Sequence, residues 1–234
     1  IGNGISVIIF AGIVAALPAQ INQLVFTYDP SQALTYVGFV IVALILIAGI
    51  VVITEAERLV PITHAKQARA GGAGGAANSY LPLRINQAGV MPVIFALSIL
   101  LFPQLLANFF AVSASAKLQS IGASLTWFLQ SGWLYAAVYF LLVVLFTYFY
   151  TAVTFDPEAV ATNLQKNGAF VPGIRPGVST TEYIGKIVAR ITLMGALFLG
   201  IVAVLPVIMQ QVTGMSTLAI GGTAVLIVVS VILD

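Results

Sequence analysis

Apolar residues come in long blocks along this chain, and polar ones are confined to the gaps between them. Six blocks approach the ~20 residues a helix needs to cross a hydrocarbon core. They are roughly residues 4–21, 34–54, 88–110, 133–155, 191–209 and 219–234. The ~10-residue alternating segments of a barrel are absent. Backbone in lipid must satisfy its own hydrogen bonds, so the blocks are expected to be helices. Pro18, Pro92, Pro103 and Pro206 fall within or near the ends of blocks. Each is expected to remove a backbone hydrogen bond and kink its helix.

Composition turns this pattern into a membrane assignment. The 234 residues are 60% apolar and only 7% charged, and mean hydropathy is +1.09. A soluble domain is about 25% charged, so this chain lacks the polar residues to cover a surface in water. It is expected to be an all-α polytopic membrane protein. There is no cysteine, hence no disulfide framework and no thiolate metal site. The chain starts at Ile1 and stops at Asp234, directly after an apolar run. Both ends look cut, as in part of a longer protein, and no signal peptide is expected.

The positions of the charges set the orientation. Residues 55–87 carry Arg58, Lys66, Arg69 and Arg84, and residues 156–190 carry Lys166, Arg175, Lys186 and Arg190. Only Lys117 of the 9 cations lies elsewhere. The positive-inside rule assigns those two alternate loops to the cytoplasm. Odd-numbered spans then run outward and even-numbered ones inward.

The spans hold no charge in their middles, whereas ion-coupled transporters keep ionisable groups at membrane depth. Asp29, Glu55, Glu57, Asp156, Glu158 and Glu182 lie in loops or at helix ends. The single histidine, His64, sits in a loop and reads as solvated. The run "RAGGAGGAANS" (69–79) lacks the lysine-serine ending and the preceding strand of a phosphate loop, and reads as a flexible linker. No nucleophile–base pair and no metal-ligand spacing is present, so neither an enzyme nor a cofactor is expected. A passive pore closed by hydrophobic constriction and a lipid-facing scaffold both fit what is left.

The second long loop has clear local signals. In "DPEAVATNLQKNGA", Asp156 is the expected N-cap, with Pro157 at the first helical position and Glu158 in the first turn. Asn167-Gly168 supplies a left-handed stop. "GAFVPGIRPG" (168–177) then places two Pro-Gly turn dipeptides around Ile174-Arg175, with φ fixed by the prolines. "STTE" is expected to act as a capping box, Ser179 with Glu182. It would start a helix running through Lys186 and Arg190 into the fifth span. Arg175 is then either incidental to a tight re-entry turn or the head of a stiff cationic tip. Such a tip has little entropy left to lose on binding a polyanion or an acidic groove.

Four stretches resemble the SecY family of protein-conducting channel subunits: "GNGISVIIFAGIVAALP" (2–18), "YLPLRINQAGVMPVIFALSILLFP" (80–103), "FYTAVTFDPEAVATNLQKNGAFVPGIRPG" (149–177) and "GGTAVLIVVSVILD" (221–234). The resemblance implies a SecY-like bundle of ten spanning helices, of which the six spans here look like helices five to ten. Residues 1–33 would be the last helix of the N-terminal half with the external inter-half loop. Residues 34–234 would be the C-terminal half, with cytoplasmic loops 55–87 and 156–190. The resemblance implies an apolar pore ring at Ile5, Ile9, Ile94 and Ile227. It implies one side of a lateral gate on the third span, with Pro92, Phe95, Phe102 and Pro103. It also implies that Arg175, Lys66, Arg58, Arg69 and Lys166 dock the ribosome or the ATPase SecA, with SecE and SecG as partner subunits. The implied setting is the lipid bilayer of a bacterial inner membrane or, alternatively, a thylakoid membrane. The implied cargo is a nascent or secretory chain and not a small molecule. The family's first loop is usually richer in Lys and Arg before "YLPL". Here residues 70–83 have none, which implies either a weaker ribosome contact or a mobile loop tip.

Two competing functions make different demands. A small-solute transporter requires a polar midplane site. An insertase or scaffold without a pore requires that Ile5, Ile9, Ile94 and Ile227 never touch a translocating chain.

Overall fold

The computed structural model describes residues 33–64, 79–113 and 115–214, with scattered positions between 11 and 30. Six helices and three short strands are continuous in this part: α1 (Ala33–Glu55), β1 (Glu57–His64), β2 (Ser79–Arg84), α2 (Met91–Ala111), α3 (Ala116–Gln130), α4 (Gly132–Thr154), α5 (Pro157–Lys166), β3 (Ala169–Phe170) and α6 (Val178–Thr213). Four stretches are long and apolar enough to cross a membrane: α1, α2, α6 and the run from Gly132 to Lys166 that contains α4. These match the four middle blocks of the sequence. The last block lies outside the described residues; of the first, only positions between 11 and 19 are described, and these are helical.

The bundle core joins α2, α4 and α6, with Val93, Ala96 and Leu100 meeting Ala136, Tyr139 and Val143, and Leu199, Val202 and Ala203. Lipid supplies no hydrophobic drive between spans, so close approach rests on small side chains. Along α6, Ala196, Gly200 and Ala203 are buried at helical spacing. A Cβ on Gly200 would lie 2.7 Å from the Phe140 ring. α1 touches this core at one edge, where the Phe198 ring lies over Gly49. Ile50 is the only α1 residue buried among those described.

A second core sits at one end of the bundle. β1 pairs antiparallel with β2 from Glu57↔Arg84 to Ile62↔Ser79, and with β3 at Thr63↔Phe170 and His64↔Ala169. Val60, Ile62 and Leu83 from the sheet pack with Val171 and with Ile184, Val188 and Ile191 of α6; Val160 and Leu164 of α5 close the cluster. The two loops marked cytoplasmic by their charges therefore fold together as one platform. α6 belongs to both cores: at 1.5 Å per residue its 36 residues reach about 54 Å, against about 30 Å of hydrocarbon.

Three expectations need correction, and one gap between the apolar blocks holds a further helix. The protein is mostly helical and not all-α, because residues 57–64 and 79–84 are strands. The stretch 111–132 is largely the helix α3, packed against α2 where Gly122 admits Phe110 and the Ala107 backbone. Pro92 does not break a helix: it stands at the first turn of α2, where its missing N–H has no intrahelical partner to lose. The capping box at Ser179 and Glu182 does not form. α6 starts two residues earlier, with Gly177 at the cap and no side-chain cap bond, so Ser179 already lies inside the first turn.

Candidate functional site

The tip between β3 and α6 is anchored from below and bare on top. Val171 is buried and Ile174 half-buried in the platform core. The Ile174 N–H donates to the Val171 carbonyl at 3.1 Å, closing a turn through Gly173 at φ 81°. Gly177 then adopts φ 100° and ψ −137°, a conformation essentially restricted to glycine. Its carbonyl accepts from the N–H groups of Thr180 (3.0 Å) and Thr181 (3.2 Å). The buried Thr180 hydroxyl reaches back and donates to the Arg175 carbonyl at 2.9 Å. Two apolar anchors and this bond fix the backbone of residue 175, and the Arg175 side chain is exposed.

α5 supports the tip from its side. Asp156 Oδ1 accepts from the N–H groups of Glu158 (2.9 Å) and Ala159 (3.2 Å), as an N-cap does. Asn167 caps the far end and Gly168 turns at φ 66°, so Lys166 is exposed in the last helical turn. Arg58 is exposed on β1. Arg84 meets Glu57 across the β1–β2 ladder at 3.7 Å with both side chains solvated, a pair worth little stability. Lys186 and Arg190 are exposed one turn apart on α6.

The platform is not a uniformly basic patch. Glu55, Glu57, Asp156, Glu158 and Glu182 share its surface, several of them with local roles at helix starts or in the Arg84 pair. What distinguishes Arg175 among the described charges is position: it stands at the apex of an ordered loop. Lys66 and Arg69 lie outside the described residues, as does the glycine-rich run before β2. His64 is a backbone member of β1.

On the membrane side, α2 carries the expected gate residues. Pro92 is buried, Pro103 sits inside the helix and Ile94 is half-buried. Phe95 and Phe102 are exposed, and the Phe95 ring lies 6.1 Å from that of Phe146. The Ser98 hydroxyl donates to the Ile94 carbonyl at 2.8 Å, which satisfies a polar side chain within the span. Ile5, Ile9 and Ile227 lie outside the described residues, so of the expected ring only Ile94 has a described position. Charge-based reading missed the neutral polar groups: the Asn86 and Gln87 side-chain carbonyls and the Tyr139 hydroxyl are buried without a partner. It also missed Thr180, whose signal was a β-branched hydroxyl residue three positions past a Pro-Gly turn.

These features define a class: a multi-pass helical membrane protein whose alternate loops form one folded platform on an apolar bundle. The chain belongs to the SecY family, whose sequence profile matches residues 1–234. It is 40% identical over 234 residues to the protein translocase subunit SecY of Thermotoga maritima, covering 100% of this chain and 52% of that protein. It is 39% identical over 241 residues to the subunit of the same name from Staphylococcus aureus, covering 100% of this chain and 55% of that protein. It thus spans about half the length of the curated relatives it matches. Among solved structures it resembles one described as a protein conducting channel, with TM-score 0.59 and 18% identity over 99% of this chain and 57% of that one. A second concerns the plug domain of the SecY protein, with TM-score 0.57 and 19% identity over 99% and 58%. At such identities the structural likeness speaks to fold alone.

Proposed function

We propose that this chain forms the C-terminal part of the pore of a Sec protein-conducting channel. In this reading a cytoplasmic motor docks on the platform and drives an unfolded chain through the bundle, while apolar segments leave sideways into lipid. One observation carries it: the two cation-bearing loops fold into a single platform, built on the same helix that runs through the bundle core. The relatives' description as protein translocase subunits supports it.

The residues take these roles. Arg175, with Arg58, Lys166, Lys66 and Arg69, meets RNA phosphates at a ribosome or an acidic groove on SecA. Ile94, with Ile5, Ile9 and Ile227, makes a waist without a fixed water or ion site. Such a waist resists leakage by dewetting and parts around a chain of any sequence. α2, with Pro92, Phe95, Phe102 and Pro103, forms one side of a lateral gate, and partition into the bilayer does the sorting. The complete channel has ten spans, six of them here, with the boundary between halves near residue 33. SecE and SecG are its partner subunits and the bacterial inner membrane its location. The channel itself makes and breaks no bonds.

Arg175→Glu in the full-length protein tests the docking role. Motor binding and translocation are lost while membrane insertion and fold are kept. Unchanged binding and transport after this charge reversal would remove Arg175 from the interface.

A further inference from the structure

At the end of the bundle opposite the platform lies an open-sided pocket of about 430 Å³, where the exposed Gln104, Gln130 and Gln211 and the half-buried Tyr135 and Gln210 are joined by Leu129 and Val207. Its location follows from chain direction: α2 leaves the platform and carries Gln104 in its second half, α4 starts at Gly132, and α6 ends at Thr213. In a chain so apolar, four primary amides gathered at one place from three helices call for a reason. Among the described residues, none of these amides, nor the Tyr135 hydroxyl, hydrogen-bonds to another protein group. One turn deeper, Tyr139 is 1% exposed, and its hydroxyl is also unpartnered. Its ring centre lies 6.2 Å from that of Tyr135. The glycine at the start of α4 is part of the arrangement, because a Cβ on Gly132 would overlap the Gln211 side chain that lies across it.

The chemistry of the lining selects the ligand. Each amide offers two N–H donors and a carbonyl acceptor, and among the described lining residues none is charged. Among these described residues neither a phosphate nor a cation finds a counter-charge. A neutral group carrying donors and acceptors side by side is matched, and the peptide unit is such a group. The position argues against a lipid. Residues 132, 135 and 139 share one face of α4 at 100° per residue, turned toward Gln104 of α2. The other side of the α4–α6 pair carries an apolar groove, lined by Trp133, Phe140, Leu141, Leu197 and Ile201 among others.

We propose that this glutamine cavity is a hydrogen-bonding site for the main chain of the polypeptide in transit, used near its exit. The proposal rests on the channel reading above. Peptide groups are common to every sequence, so amides can hold any cargo. Bonds to neutral partners are individually weak, so the chain is steadied without being trapped.

The test uses the full-length protein in its assembled complex with a stalled secretory chain. Photocrosslinking probes replace Gln104, Gln210, Ile94 or Ile201, one at a time. The expected result is adducts with the chain at Gln104, Gln210 and Ile94, whatever cargo sequence is stalled there, and none at Ile201 in the opposite groove. With the probe at Gln130 instead, Gln210→Leu lowers the yield roughly fivefold, the weight of one hydrogen bond, and Gln210→Asn restores most of it. Adducts at Ile94 without any at Gln104 or Gln210 would overturn the cavity's role and leave the channel standing. Adducts of lipid mass at Gln210 would replace the peptide by a headgroup and overturn it as well. Absence of adducts at Ile94 too, with transport running, would overturn the channel reading together with this one.

Discussion

If the tip works because it is stiff, replacing Gly177 by alanine should weaken docking without touching the charge. Gly177 sits at φ 100° and ψ −137° at the cap of α6. No heavy atom lies within 4 Å of a Cβ placed there, so steric clash with neighbours does not enter and the penalty is one of backbone conformation. Holding an L-residue in that region costs on the order of 1–3 kcal/mol. The loop can avoid this by changing φ and ψ at residue 177, which reorients the 177–178 peptide. That would move the Gly177 carbonyl off the Thr180 and Thr181 N–H groups and pull Arg175 away from the Thr180 hydroxyl. A disfavoured docking conformation lowers apparent affinity by its lost population. A penalty of about 1–2 kcal/mol is roughly a 5- to 30-fold loss. Motor affinity measured at fixed salt on full-length channel in vesicles gives the number, and hydrogen exchange at residues 173–181 reports the loosening. Gly185→Ala is the control: its Cβ would meet only Pro157, at 3.9 Å, and affinity should not fall. If Gly177→Ala binds the motor as tightly as the parent while Arg175→Glu abolishes binding, stiffness contributes nothing and the tip is merely a carrier of charge.

Ile184 has no exposed surface in the platform core. Ile184→Ala should cost about 2–5 kcal/mol, read as faster hydrogen exchange and proteolysis at β1, β2 and α5 with the α2–α4–α6 bundle unchanged. Asp156→Ala removes the acceptor of two N–H groups and should destabilise α5 by roughly 0.5–2 kcal/mol, whereas Asp156→Asn keeps most of the cap; exchange at the Glu158 and Ala159 amides distinguishes them. Tyr139→Phe removes a buried hydroxyl that has no partner, and relief of up to about 1–3 kcal/mol of desolvation should leave the melting temperature in detergent equal or higher. A clear fall in that temperature would mean that the hydroxyl is bonded in the assembled protein.

The sequence was most informative where the physics is local or one-dimensional. The four described apolar blocks appear as helices close to their expected bounds, and Asp156, Pro157 and Gly168 do at α5 what their side chains and backbone freedom dictate. Charge bias picked out two loops as a pair, but not that they share a core. That core depends on Val171 and Ile174 meeting Ile184 and Val188, contacts no periodicity announces. The strands were hidden by Pro61 and Pro82, which lower strand propensity; yet Val60 and Ile62 alternate inward, as do Leu81 and Leu83. Ser179 shows the limit of motif reading: a capping-box pattern lost to a neighbouring glycine whose positive φ had already closed the turn. The glutamine cavity was illegible because its members are spread from Gln104 to Gln211 and carry no charge.

The most direct test of a protein-conducting pore is crosslinking along the path itself. Photoreactive probes would be placed at Ile5, Ile94 and Ile227 of the full-length protein, with Leu44 on the exposed side of α1 as control, and a secretory chain stalled in transit. The expected result is crosslinks to the chain from the three isoleucines and none from Leu44. Transport that continues with no crosslink from any of the three would contradict the pore assignment.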